Sequence, residues 1–150
     1  MKIIEQINEL KNEKIHTEKY YDIELSGWND GVYDVLIVGE DSKFLFYQKS
    51  VQNRFAFGMI NKNYIVSAKV SKKSNLIHNN ISSINRDYFC EKHVFIELNS
   101  REGFIKGFFD FRNDDYLDVI VNSFSESKVQ LKFGKELNIN NISKIEELIE

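Results

Sequence analysis

The sequence contains no proline, one cysteine, seven glycines and one tryptophan among its 150 residues. The single thiol, Cys90, has no partner for a disulfide within the chain, which is typical of a protein from a reducing compartment. The glycines form neither a G-x-G-x-x-G fingerprint nor a phosphate-binding loop ending in Gly-Lys-Ser or Gly-Lys-Thr, so no nucleotide cofactor is indicated. No apolar run approaches the roughly 20 residues of a membrane span, and Glu5 and Glu9 interrupt any secretory signal. We expect a cytoplasmic protein without a cofactor or a membrane segment.

The charged residues are unevenly distributed along the chain, although the formal net charge is only −3. Lys and Arg number six against ten Asp and Glu in residues 1–50, seven against three in residues 51–100, and seven against ten in residues 101–150. The acidic ends argue against a generally basic nucleic-acid binder, while the basic middle leaves a local contact open. The length and a hydrophobic content of 42% predict one globular domain over residues 1–150.

Apolar residues change from a helical period to an alternating one near residue 20. Isoleucines and leucines between Ile3 and Leu10 recur at steps of three and four, which predicts an amphipathic helix over about residues 2–15. Alternation and β-branched residues then predict five strands, at about residues 20–26, 32–38, 43–49, 55–60 and 64–70. The polar turns between them are too short for parallel crossovers, so we expect an antiparallel meander.

The second half of the chain has the patterns of both helices and strands. The predicted elements are a weak helix at residues 76–86, a hairpin of residues 93–98 and 104–111, a helix from Asn113 to about residue 124, a strand at residues 129–133 and a closing helix from about residue 141. The helix after Asn113 is predicted from an apolar stripe that includes Leu117, Ile120 and Phe124, with acidic residues near its N-terminus. In the closing helix, Ile142 and Ile145 are three residues apart, which is a helical spacing. We find no internal repeat.

These elements predict an α+β fold: a predominantly antiparallel, strongly curved sheet of about seven or eight strands, packed with N-terminal, middle and C-terminal helices. Several strands are apolar on both faces, for example where Phe44 and Phe46 alternate with Leu45 and Tyr47. A sheet with one solvated face would carry polar residues on that face. We therefore expect helices on one face, and a second face that is curled on itself or presented to a partner.

Two clusters carry the residue types of a catalytic or metal site. Cys90 and His93 have a Cys-x-x-His spacing, but structural zinc takes four ligands, and His16 and His78 lie in unrelated segments. Aspartates gather at positions 110, 114, 115 and 118, without the alternating ligands, central glycine and distal Glu of a calcium loop. A half-buried cysteine and helix-capping carboxylates explain both clusters, so we predict no metal site and no catalytic residues.

Basic and aromatic residues are combined in the middle of the chain. Arg86 and lysines at positions 62, 69, 72 and 73 accompany Tyr64 and Tyr88, and such a set could follow phosphates while the rings stack on bases. Solvated lysines also protect sheet edges from aggregation. Because the acidic ends would oppose a polyanion, nucleic acid is not the expected partner.

The only tryptophan, Trp28, lies in a predicted turn at residues 27–31. A turn tryptophan either folds back on the core as a lid or, when exposed, anchors a protein interface. Acidic residues and a tyrosine on the same hairpin system would extend such an interface toward a basic partner. The predicted partner-binding residues are Trp28, Asp30, Tyr33, Glu40, Asp41, Asp114 and Asp115.

The turn Gly-Trp-Asn-Asp-Gly at residues 27–31, followed by an apolar strand, a short turn and Lys-Phe-Leu-Phe-Tyr at residues 43–47, resembles a hairpin of small bacterial proteins. The whole chain is similar in size, acidity and composition to toxin-immunity proteins. This resemblance implies a non-enzymatic protein that binds and blocks a cognate toxin, and it carries over no catalytic residue.

We therefore predict a non-enzymatic inhibitor of the bacterial cytosol that masks a basic site on a protein toxin with an acidic and aromatic surface. Electrostatic attraction would speed its capture of the toxin. Two alternatives stay open. The chain could be a nucleic-acid-binding module that uses the basic middle segment, or a small enzyme with a site near His93 and Glu97.

Overall fold

Ten β-strands make up most of the residues that the computed structural model describes, which are residues 20–26, 31–51, 54–71, 84–98, 116–132 and 136–148. The strands are β1 (Tyr21–Leu25), β2 (Val32–Glu40), β3 (Phe44–Val51), β4 (Arg54–Asn61), β5 (Ile65–Val70), β6 (His93–Leu98), β7 (Tyr116–Phe124), β8 (Lys128–Leu131), β9 (Glu136–Asn138) and β10 (Ile142–Glu147). They form one sheet in the order β5-β1-β2-β3-β4-β10-β6-β7-β8-β9, with every pairing antiparallel.

The only helices in this part of the chain are short 3₁₀ helices at Lys62–Tyr64, Arg86–Phe89 and Ile139–Asn141. The described residues contain no α-helix, so the predicted α+β fold with N-terminal, middle and C-terminal helices is wrong. The segment predicted as a helix at residues 2–15 lies outside the described residues, as does most of the one at residues 76–86. No helix within the described ranges is long and apolar enough to cross a bilayer.

Two segments predicted as helices are strands, and β-bulges explain the error. Ile142 and Ile145 of β10 are both buried although they are three residues apart, because Ser143 is an extra residue in the register with β6. A bulge between Val121 and Ser123 interrupts β7 in the same way. Successive inward residues of a regular strand are two apart, and a bulge adds one residue to that spacing. The strand then shows the three-residue step by which a helix is recognised.

One predicted pairing is also wrong. β6 pairs with β10 on one edge and with β7 on the other, and residues 104–111, predicted to form a hairpin with it, lie outside the described residues. The first five strands lie where alternation predicts them, but β5 pairs with β1 instead of extending the meander beyond β4. The remaining edge of β4 is paired with β10.

The sheet consists of two units with the same topology. Unit 1 contains β1 to β5 in the order β5-β1-β2-β3-β4, and unit 2 contains β6 to β10 in the order β10-β6-β7-β8-β9. In each unit the fourth strand is followed by a 3₁₀ helix and by a fifth strand that returns beside the first. At the level of structure the chain therefore does contain a repeat, contrary to the expectation from its sequence.

Strand registers coincide in the two units. Leu25 pairs with Ile65 in unit 1 as Leu98 pairs with Ile142 in unit 2, and in both the next residue of the fifth strand is bulged. The second strands, β2 and β7, share a bulge at a matching point of their pairing with the third strands. Because bulges are specific local features, their common positions identify equivalent residues of the two units.

The 3₁₀ helices that precede the fifth strands are also built alike. Asn61 and Asn138 each accept a hydrogen bond through Oδ1 from the backbone N–H two residues further on, at 2.9 Å and 2.8 Å. Their backbone φ angles are −72° and −74°. The first strands of the units share the tripeptide Ile-Glu-Leu, at residues 23–25 and 96–98. Equivalent positions therefore use related local chemistry.

Two hydrophobic cores lie on opposite faces of the central strands. The unit 1 core consists of Tyr21, Ile23, Leu25, Val32, Val35, Ile37, Leu45, Tyr47, Ile60 and Ile65. The shared core combines inward residues of unit 2, such as Val94 and Val121, with outward residues of unit 1, such as Phe46 and Met59. Since side chains alternate between faces, β2, β3 and β4 are buried on both sides. The curved sheet covers its own faces where helices were expected.

Candidate functional site

Of the seven residues predicted to bind a partner, the structure describes three, and these three lie at two separate places on the surface. Outside the described residues lie Trp28, Asp30, Asp114 and Asp115. Tyr33 lies near the start of β2, whereas Glu40 ends that strand and Asp41 follows it. At about 3.3 Å per residue, the strand from Tyr33 to Glu40 spans roughly 23 Å. Tyr33 and the two acidic residues are therefore separate surface features.

Internal ion pairs engage both carboxylates at the end of β2. Lys62 Nζ lies 2.6 Å from Glu40 Oε1, and Arg86 Nε donates to Asp41 Oδ2 at 2.7 Å. Asp41 Oδ1 also accepts from the backbone N–H groups two and three residues further on, at 2.8 Å and 2.7 Å. Burial alone would raise the pKa of Asp41, but these hydrogen bonds and the Arg86 charge outweigh it and lower the pKa. Both residues stabilise the fold.

Arg86 connects matching turns of the two units, a role that sequence reasoning missed. Its Nε contacts Asp41 in the β2–β3 turn, and its Nη1 donates to the carbonyl O of Ser125 in the β7–β8 turn at 3.0 Å. The two turns have the same backbone hydrogen bond: the N–H of Asp41 and the N–H of Ser125 each donate to the carbonyl O three residues further on, at 2.9 Å and 2.8 Å. The guanidinium also lies 5.0 Å from the ring centroid of Phe44. Arg86 therefore holds the curved sheet where its two turns meet.

Most of the described basic middle segment is committed within the chain. Lys62 and Arg86 are paired with carboxylates, whereas Lys69 is exposed on β5. The lysines at positions 72 and 73 lie outside the described residues. Tyr64 and Tyr88 donate their hydroxyls to a backbone carbonyl and a carboxylate of this chain. Of the three described basic residues in this set, two are therefore engaged in ion pairs within the chain.

His93 and Glu97 do not converge on one site. They are four residues apart on β6, which corresponds to roughly 13 Å along a strand. His93 is exposed, whereas Glu97 is 4% exposed with its Oε1 3.6 Å from Lys144 Nζ. Burial and two neighbouring carboxylates raise the pKa of the Cys90 thiol, which disfavours the reactive thiolate. Among the described residues, no group of three His, Cys, Asp or Glu side chains is arranged to hold a metal ion.

A partly buried polar row crosses the joint between the units. Tyr47 of β3, Gly58 of β4 and Glu146 of β10 are neighbours in adjacent strands. The Tyr47 hydroxyl donates to Glu146 Oε1, and Lys49 Nζ lies 2.6 Å from Glu146 Oε2. Gly58 makes room for this contact, since an added Cβ would lie 2.6 Å from Tyr47 Cε2 and closer still to its Cζ and hydroxyl oxygen. Burial and the Glu146 carboxylate raise the pKa of Tyr47, which keeps it a donor.

The next residue of β10 makes a similar contact on the opposite face. Glu147 Oε1 accepts hydrogen bonds from the Phe57 N–H at 2.9 Å and from the Tyr88 hydroxyl at 2.7 Å. Burial and this bond raise the pKa of Tyr88. Two consecutive glutamates therefore fasten β10 to unit 1 from both faces. Sequence reasoning missed both because it assigned this segment to a helix.

Exposed apolar side chains concentrate at one edge of the sheet. In the described part of the chain the large hydrophobic side chains that are exposed are Tyr33 at 55%, Val70 at 49%, Val66 at 43% and Phe55 at 39%. Three of them lie on β2 and β5, which flank β1, whereas Phe55 lies near the start of β4. Six side chains of these three strands are called the edge surface here, although Val70 pairs with Tyr21 and so lies on the core face, opposite to Tyr33. It consists of Asp22, Glu24, Tyr33, Val66, Lys69 and Val70.

Tyr33 lies close to the backbone of Glu24 on the edge surface. A Cβ on Gly31 would lie 2.8 Å from the Tyr33 hydroxyl oxygen and 3.1 Å from Glu24 Cα, so the absent side chain lets the tyrosine lie next to β1. Glu24 is exposed, and it accepts a hydrogen bond from Ser67 Oγ of β5 at 3.3 Å. The three strands together present an aromatic ring and a carboxylate to solvent.

The β2 bulge beside Tyr33 belongs to unit 1 alone. Tyr21 pairs with Val35 and Ile23 with Val32, so β2 has one more residue than β1 between these two pairs. The equivalent strands of unit 2, β6 and β7, pair without interruption. Asp34 lies in this bulge with a φ of 61°, which is uncommon for a residue other than glycine. Its N–H donates to Asp22 Oδ1 at 2.8 Å and its Oδ1 accepts from Ser71 Oγ at 2.7 Å. Strained backbone of this kind is concentrated at functional sites.

We compared the chain with models of known protein families, with curated proteins and with solved structures, and none of them matches it.

Proposed function

We propose that this chain is a non-enzymatic protein-binding inhibitor of the bacterial cytoplasm, of the immunity type, and that it neutralises a cognate toxin through the edge surface. The exposed ring of Tyr33 on β2, on the same face of the sheet as the exposed Glu24 of β1, supports this proposal. Exposed aromatic side chains are typical anchors of protein interfaces.

The chemistry of the edge surface suits a basic partner. Tyr33 offers a large ring with few rotatable bonds, and Glu24 and Asp22 lie on the adjacent strand. Trp28 and Asp30 belong to the chain segment that connects these two strands. An aromatic anchor with carboxylates on the adjacent strand combines an apolar contact with electrostatic attraction. Glu40 and Asp41 are not part of this proposed surface because Lys62 and Arg86 engage them.

Co-expression with the toxin encoded by the neighbouring gene tests the function directly. We expect wild-type chain to restore growth of cells that make the toxin. Unimpaired killing in the presence of folded chain would contradict the proposal.

Replacement of the aromatic anchor tests the surface. Tyr33→Ala is expected to weaken toxin binding by at least about 2 kcal/mol, or roughly 30-fold, if Tyr33 is a hot spot. Phe55→Ala is the matched control, because Phe55 is also an exposed aromatic residue but lies on β4. Equal affinities of the two variants in isothermal titration calorimetry would show that the edge surface does not carry the binding.

A further inference from the structure

In two places the described part of the chain combines an aromatic ring, a carboxylate and a cation. Arg86 is paired with the carboxylate of the β2–β3 turn, and its guanidinium lies 5.0 Å from the ring centroid of Phe44. Lys92 Nζ lies 4.6 Å from the ring centroid of Tyr88, whose hydroxyl donates to Glu147 at 2.7 Å. A cation is attracted both by the negative face of a ring and by a carboxylate. In both places the chain itself supplies all three groups.

On the edge surface a ring and a carboxylate occur close together without such a cation. The Tyr33 hydroxyl oxygen and Glu24 Cα lie 2.8 Å and 3.1 Å from the point that a Gly31 Cβ would occupy. Both side chains are exposed on the same face of the sheet. Among the residues that the structure describes, no lysine or arginine forms an ion pair with Glu24 or lies over the Tyr33 ring. The ring and the carboxylate therefore remain available to a further cation.

The equivalent glutamate of unit 2 has a cation from its own fifth strand. Glu24 and Glu97 are the central residues of the two Ile-Glu-Leu tripeptides, and they pair with Ser67 and Lys144 on the fifth strands. Glu97 Oε1 lies 3.6 Å from Lys144 Nζ. In unit 1 the serine donates to Glu24 Oε1 at 3.3 Å but brings no charge. The fifth strand of unit 1 therefore leaves Glu24 without the cation that its equivalent has.

The charge of the surrounding strands also favours a cationic ligand. β1 and the first half of β2 carry carboxylates at positions 22, 24 and 34, whereas Lys69 is the only cation of β1, β2 and β5. Lys69 lies opposite Asp22 in the β1–β5 ladder, and Glu24 lies opposite a serine. The face around Tyr33 is therefore negatively charged, which attracts a cationic group.

We propose that Tyr33 and Glu24 bind the side chain of an arginine of the partner protein. The guanidinium stacks on the exposed ring and donates to the Glu24 carboxylate, one oxygen of which is bound to Ser67. Arginine suits this site better than lysine, because its planar guanidinium stacks on aromatic faces and presents several N–H groups to a carboxylate. The identity of the partner as a toxin rests on the proposed function, but the arginine-binding site does not.

NMR titration of the full-length chain with N-acetylarginine amide tests the site without the toxin. We expect the backbone signals of Glu24 and Tyr33 to shift, to shift less with the lysine derivative, and not to shift with the citrulline derivative, in which a neutral urea replaces the guanidinium. Glu24→Gln should abolish the arginine shift, whereas Glu126→Gln, which removes another exposed carboxylate, should keep it. No shift at these residues, equal shifts with the arginine derivative and with either other derivative, or an unchanged arginine shift in Glu24→Gln would each overturn the proposal.

Ring and charge variants test the site in the complex. Tyr33→Phe should bind the toxin as the wild type does, because the ring is kept, whereas Tyr33→Leu and Glu24→Gln should each weaken binding at least about tenfold. The control Glu126→Gln should leave binding unchanged. Wild-type binding of the toxin by Tyr33→Leu or by Glu24→Gln would overturn the arginine site while leaving the inhibitor function intact. Arginine-dependent NMR shifts in a chain that does not protect cells from the toxin would instead contradict the proposed function alone.

Discussion

Replacement of Gly58 by alanine should destabilise the joint between the units through the side chain of Tyr47. The new Cβ would lie 2.6 Å from Tyr47 Cε2, and the ring has no free space because it is fully buried. Overpacking of a core costs about 1–3 kcal/mol, and a hydrogen bond to a charged group such as Glu146 contributes about 1.5–3 kcal/mol. If the ring shifts and loses part of this bond, we expect a loss of about 3 kcal/mol in the free energy of unfolding. Urea denaturation followed by circular dichroism measures it.

A second substitution separates this explanation from a general intolerance of side chains at position 58. Leu131 is the residue of unit 2 that corresponds to Tyr47, so Tyr47→Leu places a smaller side chain that the repeat already uses. In that background Gly58→Ala should cost less than about 0.5 kcal/mol, because alanine reduces the entropy of the unfolded chain once its Cβ has room. The coupling between the two substitutions is then about 2–3 kcal/mol. Equal costs in the two backgrounds would refute the steric argument.

Two further predictions concern pH. Asp41 has a lowered pKa in the folded chain, so its stabilising ion pair with Arg86 is present above about pH 4 and is lost as the pH falls through the lowered pKa. The unfolding free energy of Asp41→Asn should therefore lie about 1 kcal/mol below that of the wild type at pH 7 and approach it near pH 2; a constant difference would contradict this assignment. Tyr47 and Tyr88 have raised pKa values, so the stability they contribute is present below about pH 10 and is lost as the pH rises further. In a pH titration followed by absorbance at 295 nm, we expect a fraction of the tyrosines to ionise only at high pH, and this fraction should be smaller in Tyr47→Phe. An unchanged titration curve in this variant would argue against the buried Tyr47 hydroxyl.

The strands of unit 1 were predicted from runs of β-branched and aromatic residues between short polar turns, which also identify β2, β3 and β4, buried on both faces. The sequence pattern failed for β7 and β10, where bulges change the spacing of inward residues to that of a helix. Asparagine contributed to the same error. Asn138 accepts from a backbone N–H as a helix cap does, but the helix it begins is the single 3₁₀ turn Ile139–Asn141 and the next residue enters β10. A single sequence does not distinguish such a turn from the start of a longer helix.

The repeat and the polar contacts at the joint depend on pairings between distant residues. The Ile-Glu-Leu tripeptides at residues 23–25 and 96–98 were visible, but connections of different length prevent a constant period between the units. The contact of Tyr47 with Glu146 spans 99 residues and follows only from the order of the strands. Tyr33, predicted to bind a partner, is exposed, whereas the ion pairs of Glu40 and Asp41 required the positions of Lys62 and Arg86.

The shared core has a consequence for the independence of the two halves. Side chains on the outer surface of unit 1, such as Phe46 and Met59, fill the interior next to unit 2. Cutting the chain between the halves would open an apolar surface on each fragment. If the two halves were once separate copies, they would have had to find each other by diffusion, and fusion replaced that encounter with permanent proximity on one polypeptide.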